Sequence, residues 1–328
     1  MICAAQPQDV STQAALSLML WLPIALMTAG AMLAFRECGF SLQNHVFPPV
    51  VGTLFLGVAT TRYLAARPGT YRFGMITGVL FQAATIASAA LMLTYAAASL
   101  DRPLADPLML RMDRAMGYDW ATYVSWFARH PAFARLAALC YNSNILQPAL
   151  FILLLVLSGH LERLNKFVLV NIVTLLAATA IFVALPVTTA WVHLGLSPQE
   201  IARFHVISGR NDGWIRELLR IRSGELRVLP PGFGEGLVGF PSFHAISALL
   251  NIWVIWPLRR WRSIVLPVNM IMIAATPVAG GHYLADIVAA GIVTFAGIPF
   301  VDRLYPILAA RCEAASQAPE PRLIPRAG

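Results

Sequence analysis

The chain has 328 residues, 58% of them hydrophobic and only 12% charged, with a mean hydropathy of +0.67. That balance is too apolar for an ordinary soluble domain and points to an integral membrane protein. The net charge of +8 comes almost wholly from arginine, Lys166 being the one lysine, and the arginines lie at span ends and in two long loops, a pattern of membrane topology rather than nucleic-acid binding.

Hydropathy predicts eight spans, at residues 13–34, 47–66, 73–97, 133–158, 167–187, 241–258, 263–280 and 283–302. Continuously apolar runs of about 20 residues fit helices rather than the alternating strands of a barrel, so the expected fold is an all-α, polytopic transmembrane helical bundle. No Lys or Arg precedes Arg36, and the first apolar run exceeds a signal peptide's core, so the first span reads as an uncleaved anchor. Cys3, Cys38, Cys140 and Cys312 are scattered without metal-ligand spacing, which supports neither a disulfide framework nor a zinc site.

The short loops carry Arg62, Arg67 and Arg72, then Arg163 and Lys166, then Arg259, Arg260 and Arg262. By the positive-inside rule these turns face the cytoplasm, with Arg303 and Arg311. Two long segments, 98–132 and 188–240, then lie on the outer side. The first mixes Leu108, Met112, Trp120 and Trp126 with acids and arginines, the pattern of a helix at the membrane interface or of a solvated cap on the bundle. The second groups Arg210, Arg216, Arg220, Arg222 and Arg227, with Arg216 and Arg220 on one helical face. The string Pro230-Pro231-Gly232-Phe233-Gly234-Glu235-Gly236 cannot sustain a helix and reads as a mobile loop, either a lid or a plain connector.

Two strings carry the chemistry: Gly239-Phe240-Pro241-Ser242-Phe243-His244 and His282-Tyr283-Leu284-Ala285-Asp286. From His244 to His282 the chain runs 38 residues, with the basic cluster 259–262 near the middle, the length of one helix out and one back. Both histidines therefore emerge on the same face. Pro241 suits a first helical turn, and Gly280-Gly281 end the preceding span, so two helix N-termini are expected to face a common point that attracts anions. His282 and Asp286, at i and i+4, form a nucleophile-plus-orienter pair. His244 is placed to protonate a departing alkoxide, and Arg220, Arg222 and the groups around Ser242 to hold phosphate oxygens. An acid at a span is costly and usually functional, which singles out Asp286. His45, His130, His160, His193 and His205 have no matching partners and read as structural.

The pair FPSFH and HYLAD resembles the second and third signature motifs of the type 2 phosphatidic acid phosphatase superfamily. Within it the chain most resembles the branch containing inositol phosphorylceramide synthase, through DRAMGYDW (113–120), YNSNILQ (141–147) and RIRSG (220–224). The resemblance implies a six-helix phosphatase-like core. It also implies a phosphohistidine formed on His282, Asp286 as its orienter and His244 as the leaving-group acid, with no cofactor and no metal requirement. The superfamily's third motif opens with Ser-Arg where this chain has Ala275-Thr276, and no Lys-x6-Arg-Pro motif is present, so Arg222, or Arg220 beside it, is expected to supply the missing charge.

The expected organisation is thus N-terminal transmembrane helices (1–97), an interfacial amphipathic segment (98–132), a catalytic helical core (133–305) and a disordered cytoplasmic tail (306–328). The expected activity is that of a lipid phosphatase or phosphotransferase working at the periplasmic face of a bacterial inner membrane on a lipid phosphate or phospholipid. The alternative is a phospholipid headgroup transferase of the inositol phosphorylceramide synthase type. An acyltransferase would leave His244 and the arginines idle, and a transporter would place its ionisable groups at the midplane rather than at one face.

Overall fold

The computed structural model describes residues 7–41, 47–65, 67, 69–195, 213–228 and 236–317. The described residues form helices, with one isolated bridge between Ser41 and Val228. In chain order these are α1 (Pro7–Met19), α2 (Trp21–Glu37), α3 (Phe47–Thr60), α4 (Tyr71–Ser99), α5 (Asp106–Ala115), α6 (Trp120–Arg129) and α7 (Pro131–Asn142). They continue as α8 (Gln147–Leu157), α9 (Leu161–Ala184), the single turn α10 (Ala190–His193), α11 (Gly213–Arg222), α12 (Phe243–Ile255), α13 (Arg259–Ala279) and α14 (Leu284–Gln317).

Every one of the eight apolar segments falls on a helix, though not in one form. Among the described residues five helices are long and apolar enough to cross a bilayer, spanning 11–37, 71–99, 161–184, 259–279 and 284–314. α7 and α8 together make a sixth candidate, bent by 59° at a short break. α3 and α12 are shorter. Large apolar side chains face outward from these helices: Phe55, Leu139, Ile145, Ile292 and Phe295 are all exposed, as lipid contact requires.

Contacts sort the helices into a bundle with two distinct ends. At one, the Arg163 guanidinium lies 3.6 Å from the Trp253 ring and donates to the Trp253 carbonyl, and Lys166 pairs with Asp302 at 3.1 Å. That end gathers the start of α9, the end of α12 and the second half of α14, together with the Arg259–Arg262 turn. At the other end the 101–106 loop meets α11 through the Arg222–Asp101 ion pair (2.8 Å) and meets the 185–190 loop where Thr188 donates to Asp106. The starts of α12 and α14 lie here.

One large apolar core joins α1–α4, α8, α9, α11, α12 and α14. A second, smaller core surrounds the starts of α12 and α14 with Met109, Trp120, Tyr141, Trp191, Met272 and Tyr283. Segment 98–132 therefore packs on the bundle: α5 and α6 bury Met109, Trp120, Val124 and Phe127 and leave Met112 and Trp126 exposed. Between the cores a polar triad ties three helices together. Asn269 Nδ2 donates to Gln147 Oε1 (2.7 Å), and Asn251 Nδ2 to Asn269 Oδ1 (3.2 Å).

α14 runs through 306, where the tail was expected to begin, as far as Gln317, because Ala309, Ala310, Arg311, Ala314 and Ala315 are strong helix formers. The last residues, 318–328, lie outside the described residues, as do Cys3, His45, His205, Arg210 and most of the Pro-Gly string.

Candidate active site

α12 begins two residues later than proline chemistry alone suggests. Pro241 precedes the helix, and Ser242 is its N-cap, with an extended backbone and a fully buried side chain whose oxygen accepts from Ala245 N–H at 3.4 Å. That is the ordinary work of a capping serine. It leaves His244 in the first turn of α12. The Tyr141 ring of α7 stacks on its imidazole with centroids 4.1 Å apart and planes 13° from parallel.

The start of α14 is built differently. His282 lies two residues before the helix, on a turn that Gly281 enters with φ +70, the left-handed region where glycine is at home. Asp286 Oδ2 accepts from His282 Nδ1 at 3.0 Å and from Tyr283 N–H at 2.9 Å. An acid at the third helical position reaching back to the cap residue's N–H is one half of a capping box. One carboxylate thus fixes both the helix start and the imidazole. With Nδ1 hydrogen-bonded, Nε2 is the nitrogen left to face a reactant.

The remaining N–H groups of this terminus are also taken. Asp113, from α5, accepts from Leu284 N–H through Oδ2 (3.0 Å) and from Ala285 N–H through Oδ1 (2.8 Å). Burial pushes the Asp113 carboxyl above its ordinary value, and the Ala285 and Leu284 N–H groups pull it back. Tyr283 donates its hydroxyl to Asp106 Oδ1 at 3.0 Å. The terminus of α14 is therefore capped by protein carboxylates, and the anion attraction expected of two helix starts is left to α12 alone.

A backbone hydrogen bond joins the two strings: Ser242 N–H donates to the Asp286 carbonyl at 3.2 Å. The histidines also share a wall. A Cβ placed on Gly280 would lie 2.6 Å from His282 Cδ2, 3.0 Å from His282 Nε2 and 2.7 Å from the Tyr141 hydroxyl oxygen. Gly280 is thus the floor on which the imidazole of one string and the tyrosine stacked on the other converge. Behind it, Trp120 and Tyr123 of α6 donate to the carbonyls of Pro277 and Ala274, holding the end of α13.

Of the expected site residues, the structure brings His244, Ser242, His282 and Asp286 together. The two arginines have other described contacts. Arg222 pairs with Asp101 at 2.8 Å and donates to the Arg102 carbonyl, and Arg220 pairs with Glu225 at 2.9 Å on the surface. Among the structural histidines, His130 stacks on Trp126 and His160 meets Ser158, away from this cluster. Asp113, Asp106 and Tyr141 are the residues that spacing gave no role. Each reaches the site across the fold, Asp113 from 171 residues before Leu284, so no local pattern could reveal the pairing. Their only trace was their place in or beside DRAMGYDW and YNSNILQ.

Residues 108–300 match the family model of the PAP2 superfamily, from α5 to the middle of α14, leaving α1–α4 outside the match. No curated protein and no solved structure matches the chain.

Proposed function

The chain belongs to the PAP2 superfamily, and from that premise we propose that it is a lipid phosphatase or phosphotransferase that works through a phosphohistidine. Membership supports an enzyme with phosphatase-type activity on a lipid phosphate in a bilayer. The residue roles are our reading, and the observation that carries them is the Asp286 carboxylate, bonded to His282, in a residue whose backbone carbonyl is bonded to Ser242.

In this reading His282 Nε2 attacks phosphorus while the bond to the leaving oxygen breaks. His244 gives that oxygen its proton. Water or an alcohol then attacks the phosphorus, His244 takes the incoming proton, and the nitrogen–phosphorus bond breaks to restore His282. Asp286 holds Nδ1–H throughout and offsets the charge that grows on the imidazole. The N–H groups of the first turn of α12 supply donors for the phosphoryl oxygens. A cation from α11, Arg222 or Arg220, completes the clamp after exchanging its present acidic partner for phosphate. The active face is the periplasmic one, and no metal is required.

With an alcohol in place of water the same residues run a headgroup transfer. A cavity of about 540 Å³ whose lining includes His244 leaves room for such an acceptor and favours that second reading.

The test is phosphate release and headgroup exchange by the purified protein in mixed micelles, in EDTA, over a panel of lipid phosphates and phospholipids. Release is expected for the native chain and absent for His282→Ala. Asp286→Asn, which keeps an acceptor for Tyr283 N–H but loses the charge behind Nδ1, is expected to lower turnover by about 10²- to 10⁴-fold. Native-level turnover in His282→Ala would end this mechanism.

A further inference from the structure

A phosphoryl group at His282 would meet much negative charge. Asp106, Asp113 and Asp286 are each 1% exposed and gather around the start of α14. Arg220 and Arg222 are engaged with Glu225 and Asp101. The last turns of α13 add no donor: Ala275 carries none, and the Thr276 hydroxyl donates to the Met272 carbonyl of its own helix at 2.9 Å. A transferring phosphoryl group needs donors around its equatorial oxygens, so another element has to supply one.

Tyr141 stands where that donor is required. It is the penultimate residue of α7, which packs along α13, and it is buried. Its ring lies against the His244 imidazole, centroids 4.1 Å apart. Its hydroxyl lies on the side of the other histidine. The position a Gly280 Cβ would take is 2.7 Å from the Tyr141 hydroxyl oxygen and 3.0 Å from His282 Nε2. The hydroxyl is therefore no farther from Nε2 than those two distances laid end to end, and glycine keeps the gap between them clear. A phosphorus bonded to Nε2 carries its oxygens toward this gap, and an O–H donor acts over about 2.5–3.0 Å. Packing alone would be served by phenylalanine, whereas a buried tyrosine suits a place where its hydroxyl has a polar partner.

We propose that the Tyr141 hydroxyl is a catalytic donor, hydrogen-bonded to an equatorial oxygen of the phosphoryl group as that group passes to and from His282 Nε2, while the ring holds His244 in place. The inference rests on the phosphohistidine reading above. It adds to that reading a neutral donor, which can be buried among three carboxylates without the cost of burying a second charge. No proton is transferred: the hydroxyl keeps its hydrogen, and the bond strengthens as charge gathers on the oxygens. One side chain thus serves both histidines, the acid through its face and the nucleophile through its tip.

The experiment compares the full-length native chain in micelles with Tyr141→Phe, which keeps the stacked ring and removes only the hydroxyl. It reads the melting temperature, the affinity for orthovanadate, whose five-coordinate form mimics a phosphoryl group in transfer, and kcat and KM on a lipid phosphate. The melting temperature is expected to stay at the native value. Vanadate affinity is expected to fall about tenfold or more, the scale of a hydrogen bond to a charged group. For kcat the expected loss is about 100-fold with KM nearly unchanged, the mark of a contact made in the transition state. In a His282→Ala background the same substitution is expected to change vanadate affinity by at most about twofold, because the two groups act on one anion. Native kcat and vanadate affinity in Tyr141→Phe would overturn the inference. So would a raised KM with kcat intact, an equal vanadate loss in both backgrounds, or a melting temperature that falls along with activity. Vanadate binding that depends on Tyr141 in a native chain that turns over no lipid would uphold the donor and sink the lipid phosphotransfer reading instead.

Discussion

Gly280 can be nothing larger because two functional groups already occupy the space beside it. Its own backbone, at φ −104, would accept an L side chain without strain. The conflict is purely with His282 and the Tyr141 hydroxyl, which lie 2.6 and 2.7 Å from the position a methyl would take. Gly280→Ala is therefore expected to fold with a melting temperature near that of the native chain while turnover falls about 100-fold, the scale of a one-ångström misplacement. Native turnover in a folded variant would show that the imidazole moves freely and that this convergence is incidental. At this scale the sequence was half legible. The His282–Asp286 spacing announces its own hydrogen bond, because four residues make neighbours near a helix start. The stacking of Tyr141 on His244 depends on how α7 lies against α12, which no short string encodes.

At the scale of elements, the start of α14 has an unusually complete set of partners. Its first N–H groups would ordinarily need solvent or a ligand. Here Tyr283 N–H goes to Asp286, and Leu284 and Ala285 N–H go to Asp113. The consequence is a rigid terminus whose orientation also aims His282. Asp113→Ala is expected to cost about 1–2 kcal/mol, the range for losing a helix cap, and to lower turnover with it, since the helix carries the imidazole. Asp113→Asn retains one acceptor and is expected to recover part of both. Thermal unfolding in detergent measures the first effect and kcat against KM the second; an unshifted melting temperature in Asp113→Ala would show the cap to be dispensable. The apolar segments themselves were legible because membrane burial is written in composition. What composition does not carry is the bend. A run of apolar residues from 133 to 158 reads as one span, but Asn142, Ser143 and Asn144 interrupt it ahead of Pro148, and α7 meets α8 at 59°.

On the scale of the whole molecule, the basic short-loop cluster and the chemistry sit at opposite ends. Arg163 over Trp253 and Lys166 against Asp302 fasten one end, beside the Arg259–Arg262 turn. The histidines open at the other, walled by α5, α6 and the 185–190 loop. The α12–α13 hairpin alone enforces this separation, since the motifs flank its open end and the arginines fill its turn. Because basic residues in short loops are retained on the cytoplasmic side, the bundle is expected to present its histidine end to the periplasm, where α5 and α6 can meet a lipid headgroup. Single cysteines placed at the exposed positions Ala121 and Arg260, in a chain otherwise freed of cysteine, decide this in intact cells. A membrane-impermeant maleimide is expected to label Ala121→Cys without lysis and Arg260→Cys only after it. The reverse pattern would turn the molecule over and place the phosphate chemistry on the cytoplasmic leaflet, with every contact within the site unchanged.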